Sequence, residues 1–361
     1  MRLHCTTVSI PLVPTRGLIA CAGGTSRTII RAATDVRRIL AYRMTDPSGP
    51  SVTESIAFVF GGGAGLGAMQ VGMLRALIER GIRPDFVTGT SSGALNAIMY
   101  AADPTIAAVD RLERLWLSTR RSDLFRVRPS AVGRGLFGSS SSLASNASLR
   151  RLLESTLPVE FLEDTKIPVA IALSDAYARG AVVVRAGRAV DLVLASSAVP
   201  GLFPPVEIDG HEYVDGGLVA DPPIAAAVQL GATHAYVLPV GWPIVEPMTG
   251  NAAARATDAV DWLCWRIAEF ELERWSARCE IRLLPSPSTR GLAPFDLRAT
   301  RRLIDEGYAL TTTWLEAFDA TASDGAEPMS ENPSTPGATS HGRASNLLRR
   351  GREILARVRA N

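Results

Sequence analysis

Apolar residues along this chain come in short dense runs, each followed by a glycine-rich break and then by a stretch with helical spacing. The run "IAFVF" at residues 56–60 leads into "GGGAGLG" and then "AMQVGMLRALIERG", which reads as a buried strand, a turn and a helix ending near Gly81. The scheme repeats at once, with a strand over residues 86–88, a turn at "GTSSG" and a helix through "ALNAIMYAA". Two consecutive strand-turn-helix units predict a parallel sheet covered by helices.

The pattern continues less regularly. Residues 110–118 and "LRRLLESTL" have helical spacing, "IPVAIALSD" and "AVVVRAG" read as strands, and "VDLVLASSAV" reads as a short helix stopped by Pro200. "VEI" and "EYV" flank "DGH" as a hairpin. "IAAAVQLGA" is a helix and "HAYVLPVG" a strand, followed by a long amphipathic helix over residues 252–278 and another from Leu297. "SAVGRGLFGSSSSLASNAS" has the composition of a flexible loop, and its stretch over residues 131–148 is a candidate mobile cover over a site.

Composition removes several function classes. Cys5, Cys21, Cys264 and Cys279 are far apart and lack metal-ligand spacing, so neither a zinc site nor a disulfide framework is expected, and a reducing compartment fits. A net charge of +2 gives no ground for a nucleic-acid partner. No apolar run approaches the roughly 18 residues of a membrane span. "LIACAGG" at residues 18–24 has the small residues of a signal-peptide cleavage site, but Pro11, Pro14, Arg16 and Gly17 break the apolar core such a signal needs. The expected location is cytoplasmic, with peripheral membrane association.

Three segments carry candidate chemistry. Gly89-Thr90-Ser91-Ser92-Gly93 matches GxSxG between an apolar strand and a helix, the context in which that spacing lifts a serine into an exposed, strained turn. Gly61, Gly62, Gly63, Ala64 and Gly65 lie in a second strand-to-helix turn, where backbone N–H groups and the helix dipole suit an oxyanion. Asp215 leaves a strand into the Gly216-Gly217 turn of "YVDGGLVADPP", which displays one carboxylate. On turn chemistry alone that segment is a surface turn. Gly63 to Ala68 also fits a dinucleotide-binding GxGxxG/A turn, but the second strand ends in Thr88-Gly89 rather than in the acid such a fold uses.

None of His4, His211, His234 and His341 occupies a compelling triad position, so Asp215 is the better candidate partner for Ser91. Partial burial would raise its basicity toward what a serine requires.

Together, in this order, the Gly-rich turn, the GxSxG elbow, "ASSAVPGLFPPVEI" and the DGG turn resemble the patatin-like phospholipase family, over residues 55–318. The resemblance implies a three-layer α/β/α fold with a mainly parallel central sheet. It implies Ser91 as nucleophile, Asp215 as the base of a Ser-Asp dyad, and an oxyanion hole at Gly61 to Gly65. Gly89, Gly93, Gly216 and Gly217 support these motifs. The implied activity is hydrolysis of acyl esters of lipids, with no metal and no cofactor. One position departs from the family pattern: Leu66 stands where the family's glycine-rich turn usually carries Arg or Lys. That departure keeps open a second reading, a catalytically weak or inactive lipid-binding protein of the same fold.

The expected organisation is an Arg-rich disordered extension over residues 1–54, a catalytic domain over 55–320, a disordered linker over 321–342 and a basic amphipathic helix over 343–361. Within it, in "NLLRRGREILARVRAN", Leu347, Leu348, Ile354, Leu355 and Val358 share one face and five Arg take the rest, the pattern of a helix lying on an anionic membrane surface. Docking on the parent domain or on a partner is an equal reading of the same pattern. The "ASSAVPG" serines Ser196 and Ser197, together with Ser92, are expected to pack or hydrogen-bond without a catalytic part, although the Ser92 N–H is placed to help an oxyanion.

Overall fold

A computed structural model describes residues 54–124, 126–127, 142–241 and 252–323. The strands of its main sheet are β1 (Ile56–Phe60), β2 (Phe86–Gly89), β3 (Val169–Asp175), β4 (Ala181–Val184), β5 (Val206–Ile208), β6 (His211–Asp215), β7 (His234–Leu238) and β8 (Glu280–Leu283). The principal helices are α1 (Met69–Glu79), α2 (Ser92–Ala101), α3 (Ile106–Ser118), α4 (Ala147–Thr156), α5 (Ala189–Ser196), α6 (Ile224–Gln229), α7 (Ala252–Trp275) and α8 (Thr300–Ser323).

Alternate residues of β1 and β7 enter two different cores. Phe58, Phe60, Tyr236 and Leu238 join one cluster with α1, α2 and α3, whereas Ala57, Val59, Ala235 and Val237 join a second with α6 and α7. A strand sends successive side chains to opposite faces, so an unbroken apolar run such as "IAFVF" folds only where helices cover both sides. This gives a three-layer α/β structure. Phe58 and Phe60 are fully buried, and each such side chain is worth about 1.5–3 kcal/mol of transfer free energy.

The strands form one mixed sheet in the order β8-β7-β1-β2-β3-β6-β5, with β4 also on β3. The pairs from β8 to β3 are parallel, and those made by β4, β5 and β6 are antiparallel. β3 is the shared element. β2 ends with Gly89 opposite Ile171, and β6 ends with Asp215 opposite Leu173. β4 occupies residues 171–174 of the other edge, so β2 and β6 lie end to end along a single edge of β3 and run toward each other. They stop two residues apart, about 7 Å along a strand. Whatever follows each strand is therefore delivered to the same place beside Ala172.

The β5–β6 hairpin turns on Asp209 and Gly210, with φ of 52° and 80°, the left-handed pair that an Asp-Gly hairpin favours. His211, read as part of the turn, is the first residue of β6. α5 ends at Ser196, short of Pro200, because residues leading into a proline are driven out of helical conformation. Two other boundaries differ from the sequence pattern. α7 stops at Trp275, three residues before the expected end, and "EIRL", left unassigned between the two expected helices, is the edge strand β8; its alternating charges hide an apolar period. α8 continues to Ser323, into the stretch read as linker.

Of the expected mobile cover, residues 142–148 are described. Ser142 bridges to Gly201, Ala144–Ser145 pairs with Arg126–Val127, and α4 begins at Ala147. The remainder of that loop, the Arg-rich extension up to residue 53, the linker from 324 and the basic segment 343–361 lie outside the described residues. Among the described residues no helix is long and apolar enough to cross a membrane.

Candidate active site

The sharp turn after β2 places Ser91 at the N-terminus of α2 with φ 53° and ψ −124°. A non-glycine residue at such angles is strained, and the strain is held by close backbone packing on both sides. A Cβ on Gly93 would lie 2.4 Å from the Gly61 carbonyl oxygen, and one on Gly89 would lie 2.5 Å from the Gly93 carbonyl oxygen. Any larger residue at either position would push the turn apart. The Thr90 N–H donates to the Phe60 carbonyl at 3.1 Å, tying the elbow to the end of β1.

Asp215, the last residue of β6, is buried, and the Ser91 hydroxyl lies close enough to act on its carboxylate as a donor. The Gly217 N–H donates to Asp215 Oδ1 at 2.8 Å. Burial pushes the Asp215 carboxyl up to about 6, while the Gly217 N–H and the Ser91 hydroxyl pull the other way. The carboxylate is thus a stronger base than an exposed one, yet still ionised at neutral pH. The turn that holds it admits no side chain at Gly216, where a Cβ would lie 2.2 Å from the Ala172 carbonyl oxygen.

The glycine-rich turn between β1 and α1 contains a 3₁₀ segment, Ala64–Ala68. Of its amides, Gly61 donates to the Leu238 carbonyl at 3.1 Å, Gly62 to Asp221 Oδ1 at 2.6 Å and Gly65 to the Pro294 carbonyl at 2.8 Å. The Gly63 and Ala64 N–H groups have no hydrogen-bond partner among the described residues, and neither has that of Ser92 in the first turn of α2. The hydrogen bonding therefore leaves two of the five glycine-rich-turn candidates with an uncommitted N–H, along with the Ser92 N–H that the sequence also offered. Leu66 is buried in the core against which α1 and α2 pack, and this turn carries no basic residue.

A buried polar network supports the turn from behind. Gln70 Nε2 donates to the carbonyls of Gly61 and Leu238, both at 2.8 Å. Asn96 Nδ2 donates to Gln70 Oε1 at 2.8 Å and to the Gly67 carbonyl at 3.1 Å, and Trp116 Nε1 donates to Asn96 Oδ1 at 2.9 Å. Each buried polar group so paired avoids a desolvation cost of about 1–3 kcal/mol, and the chain of bonds fixes Gly61 and Gly67 relative to α1, α2 and α3.

Two residues complete the site: Ser196, expected to pack or hydrogen-bond but without a stated partner, and Asp221, which sequence reasoning did not single out. Ser196, at the end of α5, accepts the Ser91 N–H on its Oγ and donates to the Ala172 carbonyl, both at 2.8 Å. Asp221, three residues past the 3₁₀ turn Gly216–Leu218, is the carboxylate bonded to Gly62. The one signal for Ser196 was its place in "ASSAVPG", and for Asp221 an acid placed between the DGG turn and two prolines. Ser92 Oγ is buried without a partner.

The described histidines lie elsewhere. His211 is exposed on the hairpin, and His234 sits at the start of β7, its Nε2 3.3 Å from Glu280 Oε2. Among the described residues no group of three or more His, Cys, Asp or Glu is arranged to hold a metal ion.

Residues 58–228, which include the elbow, the glycine-rich turn and the DGG turn, match the model of the family described as patatin-like phospholipase. A Caenorhabditis elegans protein named for a patatin-like phospholipase domain is 30% identical over 292 residues, 73% of this chain and 26% of its own length. Neuropathy target esterase of Drosophila melanogaster is 30% identical over 190 residues, 52% of this chain and 13% of its own. A lysophospholipase of Mycosarcoma maydis is 29% identical over 188 residues, 52% of this chain and 10% of its own. The chain thus spans between 10% and 26% of the length of these relatives. Among solved structures, VipD from Legionella pneumophila is similar at a TM-score of 0.39 and 14% identity, over 74% of this chain and 67% of that one.

Proposed function

We propose that this chain, which belongs to the patatin-like phospholipase family through residues 58–228, hydrolyses acyl esters of lipids through a Ser91–Asp215 dyad and an acyl-enzyme intermediate. The observation that carries the reading is the meeting, beside Ala172, of the strained Ser91 turn at φ 53° and ψ −124° with the buried Asp215 carboxyl, on which the Ser91 hydroxyl acts as a donor. Lysophospholipase and esterase relatives support lipid esters as the substrate class.

In this mechanism the Asp215 carboxylate takes the Ser91 proton as Oγ attacks the ester carbonyl carbon. The unpartnered N–H groups of Gly63, Ala64 and Ser92 receive the negative charge on the tetrahedral oxygen; one such donor is worth about 3–4 kcal/mol in other hydrolases. As the C–O bond breaks, Asp215 returns the proton to the departing alcohol. Asp215 then takes a proton from water, the resulting hydroxide attacks the acyl carbon, and the proton passes to Ser91 Oγ as the fatty acid leaves. Every group named belongs to the chain, and no cofactor enters.

The test is labelling with a fluorophosphonate followed by turnover of p-nitrophenyl esters, lysophospholipids, phospholipids and triglycerides. Labelling and turnover that vanish in Ser91→Ala support the assignment, and activity unchanged by that substitution overturns it. The second reading, a lipid-binding protein with weak or no turnover, is favoured by the buried Leu66 at the position of the family's usual cation. Strong vesicle binding without labelling would select it. We also propose peripheral contact with anionic membranes through residues 343–361. Near such a surface each Arg contributes about 1 kcal/mol, so removing that segment should weaken binding to phosphatidylserine vesicles while leaving short-ester turnover intact.

A further inference from the structure

Asp221 is a second acid placed against the dyad, and the mechanism above does not use it. Its Oδ1 accepts the Gly62 N–H at 2.6 Å. A Cβ on Gly62 would lie 3.2 Å from Asp221 Oδ2 and 3.1 Å from the Ser91 Cβ, so Gly62 is the backbone layer between nucleophile and second carboxyl. The same carboxyl reaches toward the other turn, since a Cβ on Gly217 would lie 3.7 Å from Asp221 Oδ2. Asp221 therefore joins the glycine-rich turn, which carries the free amides of Gly63 and Ala64, to the turn that carries Asp215.

We propose that Asp221 is a positioning residue for the oxyanion turn and that it works in its neutral form, anchoring Gly62 through Oδ1 without setting a negative charge beside the amides that hold the oxyanion. The inference rests on the Ser91–Asp215 reading. Its physical core is an asymmetry of partners. Asp215 receives two donors, the Gly217 N–H and the Ser91 hydroxyl, whereas Asp221 receives one, the Gly62 N–H. Two carboxyls this close resist double ionisation, and the one with fewer donors keeps the proton longer. A protonated carboxyl still accepts on Oδ1, so the anchor persists when the charge is gone.

The surroundings offer no compensating cation among the groups that act on Asp221. The Gly61–Gly62 turn brings none, the elbow brings the Ser91 hydroxyl, and the DGG turn brings Asp215, whose charge pushes Asp221 upward. Pro222, Pro223 and α6 carry no titratable group. α7, packed behind them, brings Cys264, whose Sγ is 3.9 Å from the Gly217 carbonyl, and Glu271, which accepts the Ala225 N–H at 3.1 Å. Burial is the largest cause of a value of about 7 at Asp221, with the Gly62 N–H acting against it. With Asp215 at about 6, the productive state is the one with a single proton in the pair. It is most populated between those values, and at pH 8 about a tenth of it remains.

The experiment measures kcat and KM on a short p-nitrophenyl ester from pH 5 to 9 for the unaltered chain, Asp221→Asn, Asp221→Ala and Ser91→Ala, with thermal melts at each pH. The unaltered chain is expected to show a bell with a descent above about pH 7. Asp221→Asn keeps an acceptor without the charge, so the descent disappears and kcat at pH 8 exceeds that of the unaltered chain by about tenfold. Asp221→Ala loses the anchor, and kcat falls at every pH while KM moves less. The melting temperature of Asp221→Asn relative to the unaltered chain rises from pH 5 to pH 8, because only the latter buries a charge at the higher pH. An unaltered alkaline descent in Asp221→Asn, or a melting difference independent of pH, overturns the inference. Should the variants fail to fold, carbon-13 titration of aspartate-labelled unaltered chain decides it: a carboxyl with its midpoint near 7 is required. Turnover that survives Ser91→Ala overturns the dyad reading instead, and the melts and the titration still report on Asp221.

Discussion

Ser196 Oγ sits between Ser91 and the sheet, accepting the Ser91 N–H and donating to the Ala172 carbonyl, each at 2.8 Å. Ala172 is the residue of β3 at which β2 and β6 stop from opposite directions. One hydroxyl thus fastens the strained elbow to the point where the two strands converge. It also commits the Ser91 N–H, so in the proposed mechanism the oxyanion falls to the amides of Gly63, Ala64 and Ser92.

Ser196→Ala should leave the Ser91 N–H buried without an acceptor. A stability loss of about 1–3 kcal/mol is expected from urea unfolding, together with a kcat lowered by about tenfold at nearly constant KM, since the nucleophile loses its fixed orientation rather than its substrate contacts. Ser197→Ala, one residue on, should behave as the unaltered chain in both measurements. Equal effects at the two positions would remove the positioning role from Ser196.

The strain at Ser91 can be read by comparing two inactive variants. Ser91→Ala and Ser91→Gly both delete the hydroxyl, and each should lower kcat by several orders of magnitude. Only the glycine relieves φ 53° and ψ −124°. Ser91→Gly should therefore be more stable than Ser91→Ala by about 1–2 kcal/mol in chemical denaturation. An alanine variant of equal or greater stability would mean that the elbow stores no strain.

What the sequence made legible was whatever has a local pattern. The strand-turn-helix units, the hairpin at Asp209-Gly210 and the places of Ser91 and Asp215 follow from apolar runs and turn residues that act within a few positions of themselves. The contacts that complete the site join distant stretches: Ser196 to Ser91 across 105 residues and Asp221 to Gly62 across 159. No local spacing announces such a bond, so Ser196 read as a bystander and Asp221 as part of a turn. The oxyanion candidates were too many for the same reason. That Gly61, Gly62 and Gly65 spend their amides on Leu238, Asp221 and Pro294 depends on partners up to 229 positions away (294 − 65). Edge strand β8 was missed because "EIRL" mixes charge into four residues.

Gly216→Ala tests the convergence of the strands directly. Its Cβ would lie 2.2 Å from the Ala172 carbonyl oxygen, the same atom that Ser196 uses, and neither backbone can move without opening β6 from β3. Overpacking of this kind costs about 1–3 kcal/mol, and here it should displace Asp215 as well. Thermal melting and ester turnover are expected to fall together, with turnover reduced more than a hundredfold. A variant that melts lower but turns over normally would show that Asp215 is located by something other than the fit of this turn.

The pH dependence of stability and of activity should run in opposite directions at Asp215. Its carboxyl is raised from 3.8 to about 6 on folding, chiefly by burial, so the native state holds this proton more tightly than the unfolded chain does. The stabilising contribution of the neutral form is complete below about pH 4 and is lost as pH climbs through about 6. A shift of that size corresponds to about 3 kcal/mol at pH 8. Asp215→Asn removes the buried charge, so its melting temperature should match the unaltered chain at pH 4, rise above it between pH 4 and pH 6, and keep a constant lead beyond. Turnover demands the reverse, because only the anion accepts the Ser91 proton: kcat/KM of the unaltered chain should fall about tenfold per unit below pH 6. The amide variant should be nearly inactive at every pH. A melting lead that is already full at pH 4 would mean that Asp215 is not carried as a raised, buried acid, and the dyad would lose the basicity on which its chemistry depends.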